Sequence, residues 1–276
     1  MEVSIPKAFR PAAKKLARRT RLFLTPISLI LALILWEVVA RAANLPAFIL
    51  PPPSLVFERF VQAAGDGTLL RHTAATLLEV VLGLLAGTLL AIFTGYWIAR
   101  SRMFERLISP YLVASQAIPV VAIAPLLVIW FGPGMGTKVL ICTLIVFFPV
   151  LVNTVVGLRA VPEELRALMR SLRATRWQQL RYLEIPAALP VFLGGLRIGA
   201  TLSVIGGVVG ELVGSNRGLG FLINVGRGQF DTALVFVAVF TLVTLALVLY
   251  ALVMLLERRL LSWQHDPHNP EAGGIV

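Results

Sequence analysis

Residues 162–190 read PEELRALMRSLRATRWQQLRYLEIPAALP, a polar, arginine-rich stretch that lies between two long hydrophobic runs. Its apolar residues recur at a spacing that places them on roughly one face of a helix, at Leu165, Leu168, Met169, Leu172, Leu180 and Leu183. Such a helix, of about 25 residues, is longer than the connection between two packed helices requires. We therefore predict an amphipathic helix at the membrane surface that docks on a cytoplasmic partner, which favours coupling over catalysis.

The composition of the chain is that of a membrane protein. Of the 276 residues, 58% are hydrophobic and 14% are charged, and the mean hydropathy is +0.85. Apolar stretches of about 20 residues recur, each long enough to cross a bilayer. The net charge of +11 is explained by basic residues that flank the spans. No basic soluble domain remains that could bind nucleic acid.

Six spans are predicted, and the fold class is therefore all-α integral membrane, with the amphipathic helix between the fourth and fifth spans. They run from about Leu22 to Ala43, Thr73 to Ala99, Leu107 to Phe131, Lys138 to Leu158, Val191 to Val213 and Ala233 to Leu256. A basic tail over 1–21 precedes the transmembrane domain, 22–256, and a polar tail over 257–276 follows it. The tail before the first span can also contact anionic lipid.

Basic residues orient the chain. With the N-terminus inside, the cytoplasmic segments hold eighteen basic residues and the outer loops four, namely Arg59, Arg71, Arg217 and Arg227. Because cytoplasmic loops carry the excess of Lys and Arg, both termini and the amphipathic stretch are predicted to be cytoplasmic.

Several blocks of sequence carry a resemblance to a known family. They are LPPPSLVFERF, IPVVAIAPLLVIWFGPG, FFPVLVNTVVGLRAVPEELR, LRATRWQQLRYLEIPAALP and GLRIGATLSVIGGVVGELVGSNRGLGFLI, in this order. The chain resembles the membrane-spanning permease subunit of a bacterial ABC importer, in the nitrate, sulfonate and taurine group of binding-protein-dependent systems. The resemblance extends from the first span to about Trp263.

The family's cytoplasmic signature is an EAA box, then a glycine four residues past its end, then an I-x-L-P ending. Aligned from Pro186, the box falls on Ala167, Leu168 and Met169, the glycine on Arg173, and the ending on Leu183, Ile185 and Pro186. The spacing and the final proline are kept, but the glutamate of the box and the glycine are not. An arginine in place of glycine is expected to stiffen a helix interior by about 0.5–1 kcal/mol.

The resemblance implies an assembly in which this chain is not the enzyme. A separate ATPase would bind ATP and Mg²⁺ and would receive residues 162–186, including Glu163 and Glu164, in a groove. The chain itself contains no G-x-x-x-x-G-K-[ST] sequence. The implied partners are a second copy of the permease, two ATPases and an extracytoplasmic solute-binding protein.

Small residues recur at a spacing of four in the fifth span, at Gly195, Gly199, Ser203 and Gly207. Such residues let helix backbones approach closely. Two interpretations remain open: a dimer interface that lines the translocation path, and ordinary packing within one subunit.

Charged residues within the spans are candidates for function by default. Glu79 lies deep in the second span and should face protein or water, and Glu211 lies near the outer end of the fifth. Both are pathway candidates, with a structural role as the alternative. Arg197, near the inner end of the fifth span, is expected to reach the cytoplasmic interface. No His, Cys or carboxylate group has metal-ligand spacing, and no catalytic triad is recognisable.

Two other classes compete with the importer. A carrier driven by an ion gradient would be favoured by inverted repeats with interrupted helices, which the sequence does not show. A membrane enzyme would require a catalytic cluster. Among importer permeases, the blocks IPVVAIAPLLVIWFGPG and FFPVLVNTVVGLR look more like those of vitamin-type members. This resemblance implies riboflavin or a pyrimidine precursor of thiamine as the substrate, with sulfonates, taurine or nitrate next.

Overall fold

The structure is a computed structural model that describes residues 27–43, 46–116 and 119–264. These residues form helices joined by turns, with no strand among them. The first helix, α1, covers 27–42. The α-helices that follow are α2 Pro53–Gly65, α3 Thr68–Arg100, α4 Arg102–Gln116, α5 Val120–Phe131, α6 Met135–Arg159, α7 Glu163–Ser171, α8 Arg176–Gln179, α9 Ile185–Gly214, α10 Leu219–Gly228 and α11 Thr232–Leu260.

Four helical stretches are long and apolar enough to cross a membrane: Thr68–Arg100, Met135–Arg159, Arg176–Gly214 and Thr232–Leu260. All four extend beyond the predicted spans, because the helices continue into polar sequence at their ends. At the start of α3, the Asp66 carboxylate accepts a 2.8 Å hydrogen bond from the Thr68 N–H, which lowers the pKa of Asp66. The predicted tail over 1–21 lies outside the described residues, as does the tail beyond residue 264.

The third predicted span, Leu107 to Phe131, is not a single helix. Residues 107–116 lie in α4 and residues 120–131 in α5, and α5 begins directly after Pro119, whose backbone is extended. Proline has no N–H to donate and fixes its own φ, so it is favoured at the start of a helix rather than inside it. The predicted polar loop before the last span also differs, because ten of its residues form α10.

The centre of the fold is a packed trio, α3, α6 and α9, with α10 and α11 against α9. Glycines allow these helices to approach closely. A Cβ atom on Gly83 would collide with Cys142 Cβ, and one on Gly206 would lie 2.8 Å from Cys142 Cα. Cys142 is fully buried between them, as a small apolar residue of the core. On the outer surface of the bundle, aliphatic side chains of α1, α3 and α11 are exposed, as expected of surfaces that face lipid.

Candidate functional site: a surface segment and a buried polar cluster

The prediction of one amphipathic helix of about 25 residues over the arginine-rich stretch is wrong. The stretch forms two short helices followed by a π-helical turn. Helix α7 is followed by a break at residues 172–175, then by α8 and by the π-turn Leu180–Glu184, which leads directly into α9. We call residues 163–179, that is α7, α8 and the turn between them, the surface segment.

Helix α7 has favourable charges at both of its ends. Glu163 and Glu164 lie in the first turn and Arg170 in the last, which complements the helix dipole. Arg170 also donates a 2.8 Å hydrogen bond to the Glu163 carboxylate. These residues are exposed, so their contribution is to helix stability at the surface rather than to a core.

Arg173 occupies a helix terminus, and the prediction that it stiffens a helix interior is wrong. Its φ is +53°, the left-handed conformation that glycine usually supplies after a helix. The Arg173 N–H donates to Arg170 O at 2.9 Å, and the Ala174 N–H donates to Met169 O at 3.0 Å. This pair of bonds is a Schellman motif, and an arginine there is strained where a glycine would not be.

A capping box starts α8. The Thr175 hydroxyl accepts from the Gln178 N–H at 3.2 Å, and the Gln178 side chain accepts from the Thr175 N–H at 2.8 Å. Both bonds satisfy groups that a helix start would otherwise leave unpaired. The break between α7 and α8 is thus a defined structure with its own hydrogen bonds on each side.

Large apolar side chains project outward from this region. Leu172 is 69% exposed and Trp177 64%, and Leu165, Leu168, Tyr182 and Ile185 are exposed as well. Ala167, Met169, Leu183 and Pro186 are only half-buried. Exposed apolar residues on a polar segment are typical of interaction surfaces.

A second group of residues lies at the opposite end of the helix trio, where α3 and α6 begin and α9 ends. We call His72, Thr76, Glu79, Lys138 and Glu211 the buried polar cluster. The Lys138 ammonium donates to Glu79 Oε1 at 2.6 Å and to Ser215 Oγ at 2.7 Å. From the sequence, Lys138 was placed at the start of the fourth span, and this pairing was not predicted.

The remaining members of this cluster bind the backbone after α9. Glu211 Oε1 accepts from the Thr76 hydroxyl, and its Oε2 accepts from the Gly220 N–H, both at 2.6 Å. The Gly218 N–H donates to His72 Nδ1 at 2.9 Å, and the Leu219 N–H donates to the Thr76 hydroxyl at 2.8 Å. Gly218 has φ +112° and packs directly on the Glu211 carboxylate, where a Cβ atom would collide. The turn 215–220 is therefore held by buried side chains from three helices.

Gly195, Gly199 and Gly207 of the fifth predicted span face neighbours within this chain. A Cβ atom on Gly195 would lie 2.5 Å from Asn153 Cβ, and one on Gly199 would lie 3.1 Å from Val150 Cγ2, both on α6. A Cβ atom on Gly207 would lie 2.8 Å from Val80 Cγ2 on α3. The exposed side of α9 is formed by other residues, Ile198, Ile205 and Leu212.

Two further ion pairs connect helices at the end of the bundle that carries the surface segment. Arg197 forms a 3.2 Å ion pair with Glu257 of α11. Arg100, at the end of α3, forms a 2.8 Å ion pair with Glu184, which is buried. Neither Arg100 nor Glu184 was among the site residues predicted from the sequence. The signal that pointed to Glu184 was a carboxylate between the apolar Leu183 and Ile185. In the described part of the chain, no group of three His, Cys, Asp or Glu residues could hold a metal ion.

Comparisons with known proteins agree with this architecture. The profile of the family described as binding-protein-dependent transport system inner membrane component matches residues 83–262. The riboflavin transport system permease protein RibX of Chloroflexus aurantiacus is 49% identical over 87% of this chain and 89% of its own length. The formylaminopyrimidine transport permease protein ThiX of Halalkalibacterium halodurans is 37% identical over 85% of this chain and 93% of its own.

More distant similarities extend the same pattern. The taurine transport system permease protein TauC of Escherichia coli is 32% identical over 91% of this chain and 92% of its own length. An inward-facing structure of the MetNI methionine ABC transporter has a TM-score of 0.60 at 20% identity, and covers 70% of this chain and 95% of its own. The resemblance that the sequence blocks indicated is confirmed: the chain belongs to the family of binding-protein-dependent transport system inner membrane components and is a membrane permease of an ABC importer.

Proposed function

We propose that this chain forms half of the translocation path of an importer for riboflavin, driven by a separate ATPase. The substrate assignment rests on the 49% identity to a riboflavin permease, which spans nearly the full length of both chains. The formylaminopyrimidine and taurine permeases match with 37% and 32% identity. A neutral heteroaromatic substrate also fits a chain whose one buried lysine, within the described residues, is paired with a carboxylate.

The proposed topology has six crossings with both termini in the cytoplasm. The four long apolar helices supply four of them. Helix α1 and the pair α4–α5 supply the other two, and within this pair α5 begins directly after the extended Pro119. The excess of basic residues on the side of both termini supports this orientation. The buried polar cluster then lies near the outer face and the surface segment in the cytoplasm.

The surface segment is proposed to dock in a groove of the ATPase, which binds ATP and Mg²⁺. Its exposed Leu168, Leu172 and Trp177 supply the apolar contacts, and Glu163, Glu164 and Arg173 supply charges around them. The segment is firmly attached to the bundle, because Arg166 donates a 2.8 Å hydrogen bond to Leu158 O at the end of α6. Closure of two ATPases would then move two such segments together and switch the path from inward-facing to outward-facing.

A homodimer completes the path, with two ATPases and an extracytoplasmic binding protein. Since Gly195, Gly199 and Gly207 are occupied by packing within the chain, the dimer contact falls to another face. The stripe of Ile198, Ile205 and Leu212 on α9 is apolar and exposed, and it supports that assignment.

The test is substrate uptake by the isolated complex. A tagged chain is purified in mild detergent from its native membrane with its partners and is reconstituted into liposomes. We expect ATP-dependent accumulation of riboflavin when the binding protein is supplied outside, and none without ATP. ATP-dependent uptake of formylaminopyrimidine or taurine in place of riboflavin would overturn the substrate assignment. Uptake driven by an ion gradient without an ATPase would overturn the importer mechanism.

A further inference from the structure

Glu184 is a carboxylate buried at the junction between the surface segment and the bundle. Its side chain is 2% exposed, and it is the last residue of the π-turn Leu180–Glu184. A buried carboxylate is strongly unfavourable unless it is paired and hydrogen-bonded. Glu184 lies in the single backbone connection between α8 and α9. A partner that pairs with its carboxylate therefore also fixes this junction.

The partner is Arg100, the last residue of α3. Arg100 Nη2 lies 2.8 Å from Glu184 Oε2, and the other oxygen accepts from Gln179 Nε2 at 3.2 Å. The Arg100 guanidinium also lies over the Tyr96 ring, 5.2 Å from its centroid. Both oxygens of Glu184 and both sides of the junction are thus held, with α8 on one side and α3 on the other.

The π-turn explains why Glu184 points inward. Pro186 cannot donate a hydrogen bond, and its ring would clash with the carbonyl four residues earlier in a regular α-helix. The chain instead forms the wider turn, in which the Ile185 N–H bonds to Leu180 O. One extra residue in the turn shifts the preceding side chains by about 100° around the axis. The turn therefore sets the rotation of the surface segment relative to α9.

Arg166 makes a second, separate attachment next to this pair. It lies in α7, donates to Leu158 O at 2.8 Å, and lines one small cavity together with Arg100 and Glu184. Its Nε atom is buried without a partner among the described residues. The surface segment is consequently connected to every member of the helix trio: by the backbone to α9, by residues 160–162 and Arg166 to α6, and through Glu184–Arg100 to α3.

We propose that Glu184 is a positioning residue for coupling, because it links movement of the surface segment to α3 through Arg100. This inference rests on the proposed function, in which the segment docks on an ATPase. The backbone moves α9 directly, whereas the cytoplasmic end of α3 is connected to the segment through this ion pair. Without this ion pair, the surface segment moves with the ATPase but α3 does not follow it fully. Less substrate is then transported per ATP hydrolysed.

The test measures transport per ATP hydrolysed in reconstituted complexes. Glu184→Gln keeps the size and a hydrogen-bonding oxygen but removes the charge. The matched control is Glu105→Gln, which weakens another ion pair at the same end of the bundle, that of Glu105 with Arg159 at 2.7 Å, without touching the segment. Arg100→Gln combined with Glu184→Gln serves as a second variant, because it leaves no unpaired buried charge and is expected to fold even if the single variant does not.

The expected result is that Glu184→Gln and the double variant retain the ATPase and hydrolyse ATP, with transport per ATP about tenfold lower, a factor typical of coupling between distant sites. Glu105→Gln should keep the wild-type ratio. A wild-type ratio in both Glu184 variants, or an equal loss in Glu105→Gln, would overturn the inference. Absence of ATP-dependent uptake in the wild-type complex would overturn the proposed function, and this inference with it.

Discussion

The ammonium of Lys138 lies 2.6 Å from the Glu79 carboxylate, and the two side chains are only 4% and 2% exposed. They join the start of α6 to a point about three turns into α3, inside the bundle. Glu211, a second carboxylate, belongs to the same cluster, so Lys138 is the cation among two acids. The pair therefore fixes how the helices meet at the end where the turn 215–220 is held.

Lys138→Met should destabilise the chain strongly. It leaves Glu79 buried without its cation, a change that costs about 3–5 kcal/mol for a broken buried pair. Thermal unfolding of the purified chain in detergent measures this loss. The double variant with Glu79→Gln should recover most of it, since no unpaired charge remains. Arg170→Met, which breaks an exposed pair with Glu163, is the control and should change the unfolding temperature little. Equal unfolding temperatures for Lys138→Met and wild type would contradict this assignment.

Arg173→Gly should stabilise the surface segment. The left-handed conformation costs a residue with a Cβ about 1–2 kcal/mol, which glycine avoids. Because glycine loses more conformational entropy on folding, part of this gain in stability is offset. Hydrogen exchange should slow at the Arg173 and Ala174 amides, which close the Schellman motif. Arg170→Gly, inside α7, is the matched control and should speed exchange there. Faster exchange in Arg173→Gly would show that the arginine side chain stabilises this turn.

The apolar spans could be predicted because hydropathy alone reports them, and so could the family, because its blocks are local stretches of sequence. The break at Arg173 could not be predicted, because helix propensity describes a residue type and not the φ angle that its position imposes. Nor could the ion pairs, because Lys138 and Glu79 are 59 positions apart and Arg100 and Glu184 are 84 apart. A single sequence does not say which distant charge a buried charge meets. The role of the small residues Gly195, Gly199 and Gly207 was left open for the same reason. Small residues indicate close packing, but they do not say which helix they pack against.

Gly206→Ala should destabilise the bundle, whereas Gly194→Ala on the same helix should not. A methyl group at Gly206 would lie 2.8 Å from the backbone of Cys142, which cannot rotate away, whereas one at Gly194 meets nothing within 4 Å. Overpacking of this kind costs about 1–3 kcal/mol, and alanine in an open helical position gains up to about 1 kcal/mol over glycine. The two variants are compared by thermal unfolding in the same detergent. Equal effects of the two substitutions would mean that α6 and α9 are not in the close contact described.

Leu168→Glu combined with Leu172→Glu should release the ATPase without unfolding the permease. Both leucines are exposed, so the change leaves the core untouched, but it places two carboxylates where an apolar groove would receive the segment. Loss of an apolar anchor at the centre of an interface costs about 2 kcal/mol or more, so retention of the ATPase on the tagged chain should fall about tenfold or further. Asn216→Glu, in the turn at the opposite end of the bundle, adds a charge to an exposed site and should retain the ATPase fully. Size-exclusion chromatography of each variant checks that the permease remains intact. Full retention in the leucine double variant would place the docking surface outside α7, and the exposed Trp177 and Tyr182 would then be the next residues to replace.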